Sequence, residues 1–113
     1  REALKDSRNM VAIRLGQETG VEAVKDLARR AGIRTPIPSY PSVFIGAAGV
    51  YPMEIVSAYA PFANGGLRIQ PRYITRIEDA EGRVIWEPAS TPRVAFAPSV
   101  AWIMTDMMRG VVD

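Results

Sequence analysis

Ala3-Leu4-Lys5-Asp6-Ser7-Arg8-Asn9 runs directly into Met10-Val11-Ala12-Ile13-Arg14-Leu15-Gly16-Gln17-Glu18. Val11, Ala12 and Leu15, with Met10 and Ile13 beside them, recur at the spacing of a buried helix from Asn9 to Glu18, and Gly20 offers it a left-handed stop. Ser7 and Asn9 put two side-chain hydrogen-bonding groups at the entrance of that helix. Asp6, Ser7 or Asn9 is expected to cap its start, since a short polar side chain can accept from the free N–H groups of a first turn for about 1 kcal/mol. A second helix is expected from Val21 to Ala31. Val21, Val24, Leu27 and Ala28 share one face, Gly32 closes it, and Lys25, Arg29 and Arg30 face solvent near its negative end. The two helices read as a hairpin.

Further out, Pro36, Pro38 and Pro41 predict an extended connection that ends in the small-residue run Gly46-Ala47-Ala48-Gly49. Pro52 suits the first turn of a third helix, with Glu54 well placed for the dipole and Ile55, Val56, Tyr59 and Phe62 as its apolar face. Pro61 lacks an N–H, so a kink or early loosening is expected before Gly65-Gly66 ends the helix. The period then changes. Ile74-Thr75-Arg76-Ile77 and Arg83-Val84-Ile85-Trp86 flank the turn Asp79-Ala80-Glu81-Gly82 and predict a β-hairpin, on which Tyr73 and Trp86 are expected to pack across strands. Pro98 opens a last helix with Val100, Ile103, Met104, Met107 and Met108 at helical spacing, read as core filling. The expected class is α+β, mainly helical with one β-hairpin.

The chain has 113 residues, 48% hydrophobic and 23% charged, a globular balance that allows at most one core. Cysteine and histidine are both absent. That excludes disulfides, thiol nucleophiles, Ser-His-Asp triads and the usual zinc sites within the chain, so no cofactor and no metal is expected. Acid-base work must fall to Lys, Tyr, a carboxylate or a group outside the chain. The net charge of +2 comes from scattered arginines with only Lys5 and Lys25 beside them, which does not make a nucleic-acid surface. The apolar stretches Val43 to Met53 and Val94 to Met104 fall short of the roughly 20 residues that span a bilayer.

Ser7-Arg8-Asn9 has the form S-x-N, one of three signatures of penicillin-binding transpeptidases, the others being S-x-x-K and K-T-G. With the run Ala3 to Asn9, the stretch PSVFIGAAGVYP from Pro41 to Pro52, the block Ala58-Tyr59-Ala60-Pro61-Phe62-Ala63-Asn64-Gly65-Gly66 and the close Met104-Thr105-Asp106-Met107-Met108-Arg109-Gly110-Val111-Val112, the chain resembles the middle of a class A penicillin-binding transpeptidase domain. The resemblance implies the serine β-lactamase/transpeptidase-like fold. It also implies a parent enzyme that cross-links peptidoglycan stem peptides through a serine acyl-enzyme, is acylated by β-lactam antibiotics, follows a glycosyltransferase domain, and works on the extracytoplasmic face of the bacterial plasma membrane. Membrane anchoring is then expected only through a parent segment outside the chain. By the same resemblance Ser7 helps pass a proton toward the leaving amine, Asn9 orients the acyl part of the substrate and steadies the catalytic lysine, and Arg8 points away from the reaction.

Neither Lys5 nor Lys25 follows a Ser by three residues or precedes Thr-Gly, so S-x-x-K and K-T-G are both absent. Residues 1–113 are therefore expected to be a central fragment of the domain, cut at both ends, inactive alone, and in need of the remainder of the transpeptidase domain as its partner. Lys5 and Ser7 are too close in sequence to face each other as a dyad on a helix. A related D,D-carboxypeptidase and a class B transpeptidase remain open. So does a non-catalytic helical interaction module, for which loss of the Ser7 hydroxyl would leave acylation unchanged. One departure from the family pattern is Ala48-Gly49-Val50-Tyr51-Pro52, where relatives often carry an acidic residue and then Val-Thr-Pro; it bears on local stability more than on mechanism.

Overall fold

Proline and glycine set most of the element boundaries in the computed structural model, which describes residues 1–112. A short helix α1 (Glu2–Lys5) precedes α2 (Asn9–Thr19) and α3 (Val21–Ala31). Gly20, at φ +89° and ψ 142°, stops α2 and starts α3. Its φ is positive, as a stop requires, but its ψ takes it out of the left-handed helical region that the sequence predicts. Helix α4 spans Pro52–Ala63 and α5 spans Pro98–Val112, each opening on its proline as expected from the free N–H groups of a first turn. The body of α4 runs past Pro61 to Ala63, and the Pro61 ring is fully buried.

The connection after Pro41 is not extended throughout. Residues Pro41–Ile45 form a 3-10 turn that closes on Gly46, and it packs against α2. The reason lies in Gly16: a Cβ there would stand 2.2 Å from the Phe44 ring, so only a glycine lets the Phe44 side chain lie on the helix backbone. Prolines restrict the residues before them, but they fit the first position of a tight helical turn, and that local use prevails here. Glu54 secures the same connection from the other side. Its carboxylate accepts from the Thr35 hydroxyl (2.7 Å), the Thr35 N–H (3.2 Å) and the Arg34 N–H (3.2 Å).

Two small antiparallel pairs complete the fold. Strand β2 (Ile77–Glu78) pairs with β3 (Val84–Trp86) across a bulge, with Ile77 opposite Trp86. This is the predicted hairpin, shorter than expected because Ile74, Thr75 and Arg76 lie outside the ladder. Asp79 closes its turn by accepting from the N–H groups of Glu81 and Arg83, and those bonds lower its pKa, the Arg83 N–H most. Tyr73 does not pack across the strands but stands 85% exposed. The second pair, β1 (Leu67–Arg68) with β4 (Arg93–Val94), is additional to the hairpin that the sequence predicts.

The core sits where α4, β1, β4 and α5 meet. Ala95, Phe96 and Ala101 are buried, and Phe62 of α4 packs on Phe96 with ring centroids 4.9 Å apart. Gly66 makes the approach possible. It has φ +86°, and a Cβ there would fall 2.1 Å from the Phe96 carbonyl oxygen. Its own carbonyl accepts from Ala95 N–H at 2.9 Å and its N–H donates to Pro61 O at 2.7 Å. Thr105 Oγ1 donates to Phe62 O at 3.0 Å, and Arg30 Nη1 to Ala95 O at 2.8 Å, which tie α5 and α3 to this seam. Outside it much apolar surface is uncovered: Met10, Val56 and Trp102 are more than two-thirds exposed. The radius of gyration, 17.3 Å, exceeds the roughly 13 Å of a compact domain of about this length.

Candidate active site

Helix α1 ends in a tight reversal that delivers Ser7 to the mouth of α2. Arg8 N–H donates to Ala3 O at 2.8 Å and Ser7 N–H to Leu4 O at 3.2 Å, which folds the segment back on α1. Ser7 takes φ +52°, the one positive φ at a non-glycine residue among the described residues. A side chain in that region costs about 1–2 kcal/mol, so the backbone holds the hydroxyl in a place that relaxation would not choose.

The residue at the cap of α2 is Arg8, and no side chain caps the helix. The expectation that Asp6, Ser7 or Asn9 does so is corrected here. Asp6 is engaged elsewhere, its Oδ2 accepting from Arg8 Nε (3.1 Å) and Nη2 (2.8 Å). Ser7 and Asn9 are both exposed, and both line one open groove of about 410 Å³. That volume lies in the range of small-ligand sites. The structure therefore brings the two sequence-predicted site residues together, with their side chains released from a structural task.

The groove is walled mainly by apolar side chains: Leu4 and Leu15 near its entrance, Ile45 from the 3-10 turn, and Met104 and Met107 from α5. Both methionines are half-buried, so besides packing they present a surface to the groove. Sequence reasoning placed them only in the core. Their spacing of three residues puts them on one helix face, but which face meets Ser7 depends on the α1–α5 contact, made by Arg1 Nη2 with Asp106 O (2.9 Å) and Oδ1 (3.1 Å). Arg1 and Arg8, the two cations on the rim, are each paired with a carboxylate. The carboxylates with lowered pKa, Glu22, Glu54 and Asp79, lie away from it.

Lys5 is exposed, while Lys25 is not the solvated residue predicted from its helix. Its ammonium is largely covered and donates to Glu22 Oε1 (3.0 Å) and Ser39 Oγ (2.8 Å), and the bond from Lys25 is the first cause of the lowered Glu22 pKa. Among the described residues no group of His, Cys, Asp and Glu is placed to hold a metal. Among the described residues no helix is long and apolar enough to cross a membrane. The groove thus offers one hydroxyl able both to accept and to donate, and one carboxamide with the same capacity, on a mainly apolar wall whose two arginines are paired.

Comparison with known proteins extends the reading of this wall. The chain is 43% identical over 102 residues to penicillin-binding protein 1A of Pseudomonas aeruginosa, covering 89% of this chain and 12% of the relative. It is 34% identical over 119 residues to penicillin-binding protein 1A of Neisseria gonorrhoeae, covering 99% of this chain and 15% of the relative. The chain thus spans only a small part of the length of these curated relatives. Among solved structures, the ceftriaxone acyl-enzyme complex of penicillin-binding protein A from M. tuberculosis superposes with a TM-score of 0.88 at 26% identity, over 98% of this chain and 30% of that one. The family model of the penicillin binding protein transpeptidase domain matches residues 1–113. This chain belongs to that family, as part of a transpeptidase domain of the class A kind.

Proposed function

We propose that the chain forms one wall of the cleft of a peptidoglycan D,D-transpeptidase, with Ser7 as the proton relay and Asn9 as the group that orients the substrate. The single observation that carries the reading is the groove in which both side chains stand uncapped, with Ser7 held at positive φ. Strained backbone at a polar residue in a cleft is a mark of a site organised for chemistry rather than for stability.

In this reading a serine and its lysine outside the 113 residues attack the carbonyl of a stem peptide ending in D-Ala-D-Ala. The C–N bond breaks, an ester to the serine forms, and the departing D-Ala amine takes a proton through the Ser7 hydroxyl, which is refilled from the nucleophile's side. An acceptor amine then attacks the ester, gives up a proton by the reverse route, and regenerates the serine. Asn9 holds the acyl part of the substrate by hydrogen bonds of its carboxamide, which can both donate and accept, to an amide that precedes the scissile bond. A β-lactam follows the first half of this course. The K-T-G strand and the oxyanion donors also come from outside the chain, so residues 1–113 alone are inactive. The whole protein would carry a glycosyltransferase domain and a membrane anchor, and would act at the extracytoplasmic face of the plasma membrane.

The test is Ser7→Ala in the full-length protein, read by labelling with a fluorescent penicillin and by formation of cross-linked dimers from stem-peptide substrate. The proposal expects both rates to fall by roughly 100-fold or more, the range of a lost general acid-base group. Unchanged acylation and cross-linking would instead indicate an interaction module.

A further inference from the structure

We propose that the cavity lined by Arg34, Arg68 and Arg93 is a binding site for a phosphoryl group. The three arginines, with Gln70 and Thr91, line a cavity of about 80 Å³ on the side of the fold where β1 meets β4. Arg68 and Arg93 are register partners across that two-stranded ladder, so two cations stand directly opposite each other on one face. Like charges in that position destabilise a sheet. Among the described residues neither has an ion-pair partner, nor has Arg34, although most other arginines in their neighbourhood of the fold do or are spent on carbonyls: Arg30 pairs with Asp26, and Arg72 donates to Pro88 O and Ala89 O. Among the described residues no acidic side chain lines the cavity. Glu54, in the adjoining hollow, accepts from the N–H groups of Arg34 and Thr35 and acts on Arg34 as a nearby negative charge, but among the described residues it pairs with neither Arg68 nor Arg93.

Such a repulsion gains nothing for the fold, and an anion removes it. At about 80 Å³ the cavity is small and suits one compact oxyanion. The number of donors decides its type. A carboxylate has two oxygens and one charge to set against three guanidinium groups, whereas a phosphoryl group carries three peripheral oxygens and up to two charges, enough to engage three forks at once. Thr91 and Gln70 add neutral donors for the remaining lone pairs. A neighbouring hollow of about 350 Å³ shares Gln70, Thr91 and Arg93 with the cavity, which leaves room beside it for whatever the phosphoryl group is attached to. Ser7 and Asn9 do not line it, so this inference stands or falls separately from the transpeptidase reading.

The test uses the full-length protein and inorganic phosphate at fixed ionic strength, with chloride as the balancing ion. Phosphate should raise the melting temperature of the wild type in a concentration-dependent way. In Arg93→Gln the apparent affinity should fall roughly tenfold or more, as for a lost charged hydrogen bond. Arg68→Lys, which keeps the charge and loses the fork, should also weaken binding. In phosphate-free buffer Arg93→Gln should melt at or above the wild-type temperature, a result that also establishes that it folds. Sedimentation with phosphatidylglycerol vesicles separates the sources: arginine-dependent binding identifies a lipid headgroup, and phosphate binding without it identifies a soluble phosphate, and either supports the site. Three results overturn it: no shift beyond that of chloride, equal stabilisation by a tetraglutamate peptide, or the same loss in Arg83→Gln on the distant hairpin turn.

Discussion

The seam between α4 and α5 and the groove beside Ser7 are built from similar residue types and use them in opposite ways. In the seam, alanines, a glycine and two phenylalanines bring backbone against backbone, and there is no room for one further carbon at Gly66. Along the groove, leucine, isoleucine and methionine line a wall that is left open, and the polar side chains at its mouth do no capping. Close packing fixes the position of a backbone. An open wall leaves a surface for something else to cover, and the strained Ser7 backbone belongs to that second kind of construction.

The sharpest way to break this contrast is Gly66→Ala. The new Cβ meets the backbone carbonyl oxygen of the buried Phe96, and the residue must keep φ +86°. A loss of roughly 2–5 kcal/mol is expected, combining backbone strain with overpacking, visible as a lower unfolding temperature of the full-length protein. A substitution without that cost would mean that the seam yields more than its distances suggest.

A smaller effect of opposite sign is expected at Ser7→Gly. Glycine accepts φ +52° without the side-chain cost but loses more entropy on folding, so stability should change by about 0 to +1 kcal/mol while acyl transfer collapses as in Ser7→Ala. Destabilisation by this variant would show that the serine serves the fold after all.

The smallest effect concerns Glu54, whose pKa is lowered from the ordinary value of 4.5, first by the Thr35 hydroxyl and then by the N–H groups of Thr35 and Arg34. A carboxylate with a lowered folded-state pKa contributes stability above its unfolded pKa and loses it as pH falls through the folded value. The wild type should therefore lose stability on acidification below pH 4.5, and Glu54→Gln should show a shallower acid limb with a lower plateau at neutral pH. Parallel acid limbs in melting curves of the two proteins would remove Glu54 from that role.

How far these regions were legible in the sequence follows the range of the forces involved. The starts of α4 and α5 were written in Pro52 and Pro98, and the ends of α2 and α3 in Gly20 and Gly32, because each boundary depends on the backbone freedom of one residue. The Arg68–Arg93 pairing was hidden, since two-residue strands far apart in sequence carry no period of their own. The 3-10 turn was misread because the local rule for proline ignored the fit of Phe44 against Gly16. At the site, Ser7 and Asn9 were marked by the S-x-N signature and its companion blocks, not by any physical pattern. Their release from capping, and the methionine wall facing them, depend on how α1 and α5 meet.

The β2–β3 hairpin has a practical consequence of another sort. Its strands are exposed throughout and pack chiefly on each other, and Asp79 closes the turn by bonds that stay within the turn. Exposed tips of this kind are where inserted sequence is best tolerated. A short epitope or a fluorophore-accepting peptide spliced between Ala80 and Gly82 would be borne by a segment on which neither the seam nor the groove leans, giving a handle for capturing the full-length protein while the groove beside Ser7 stays free.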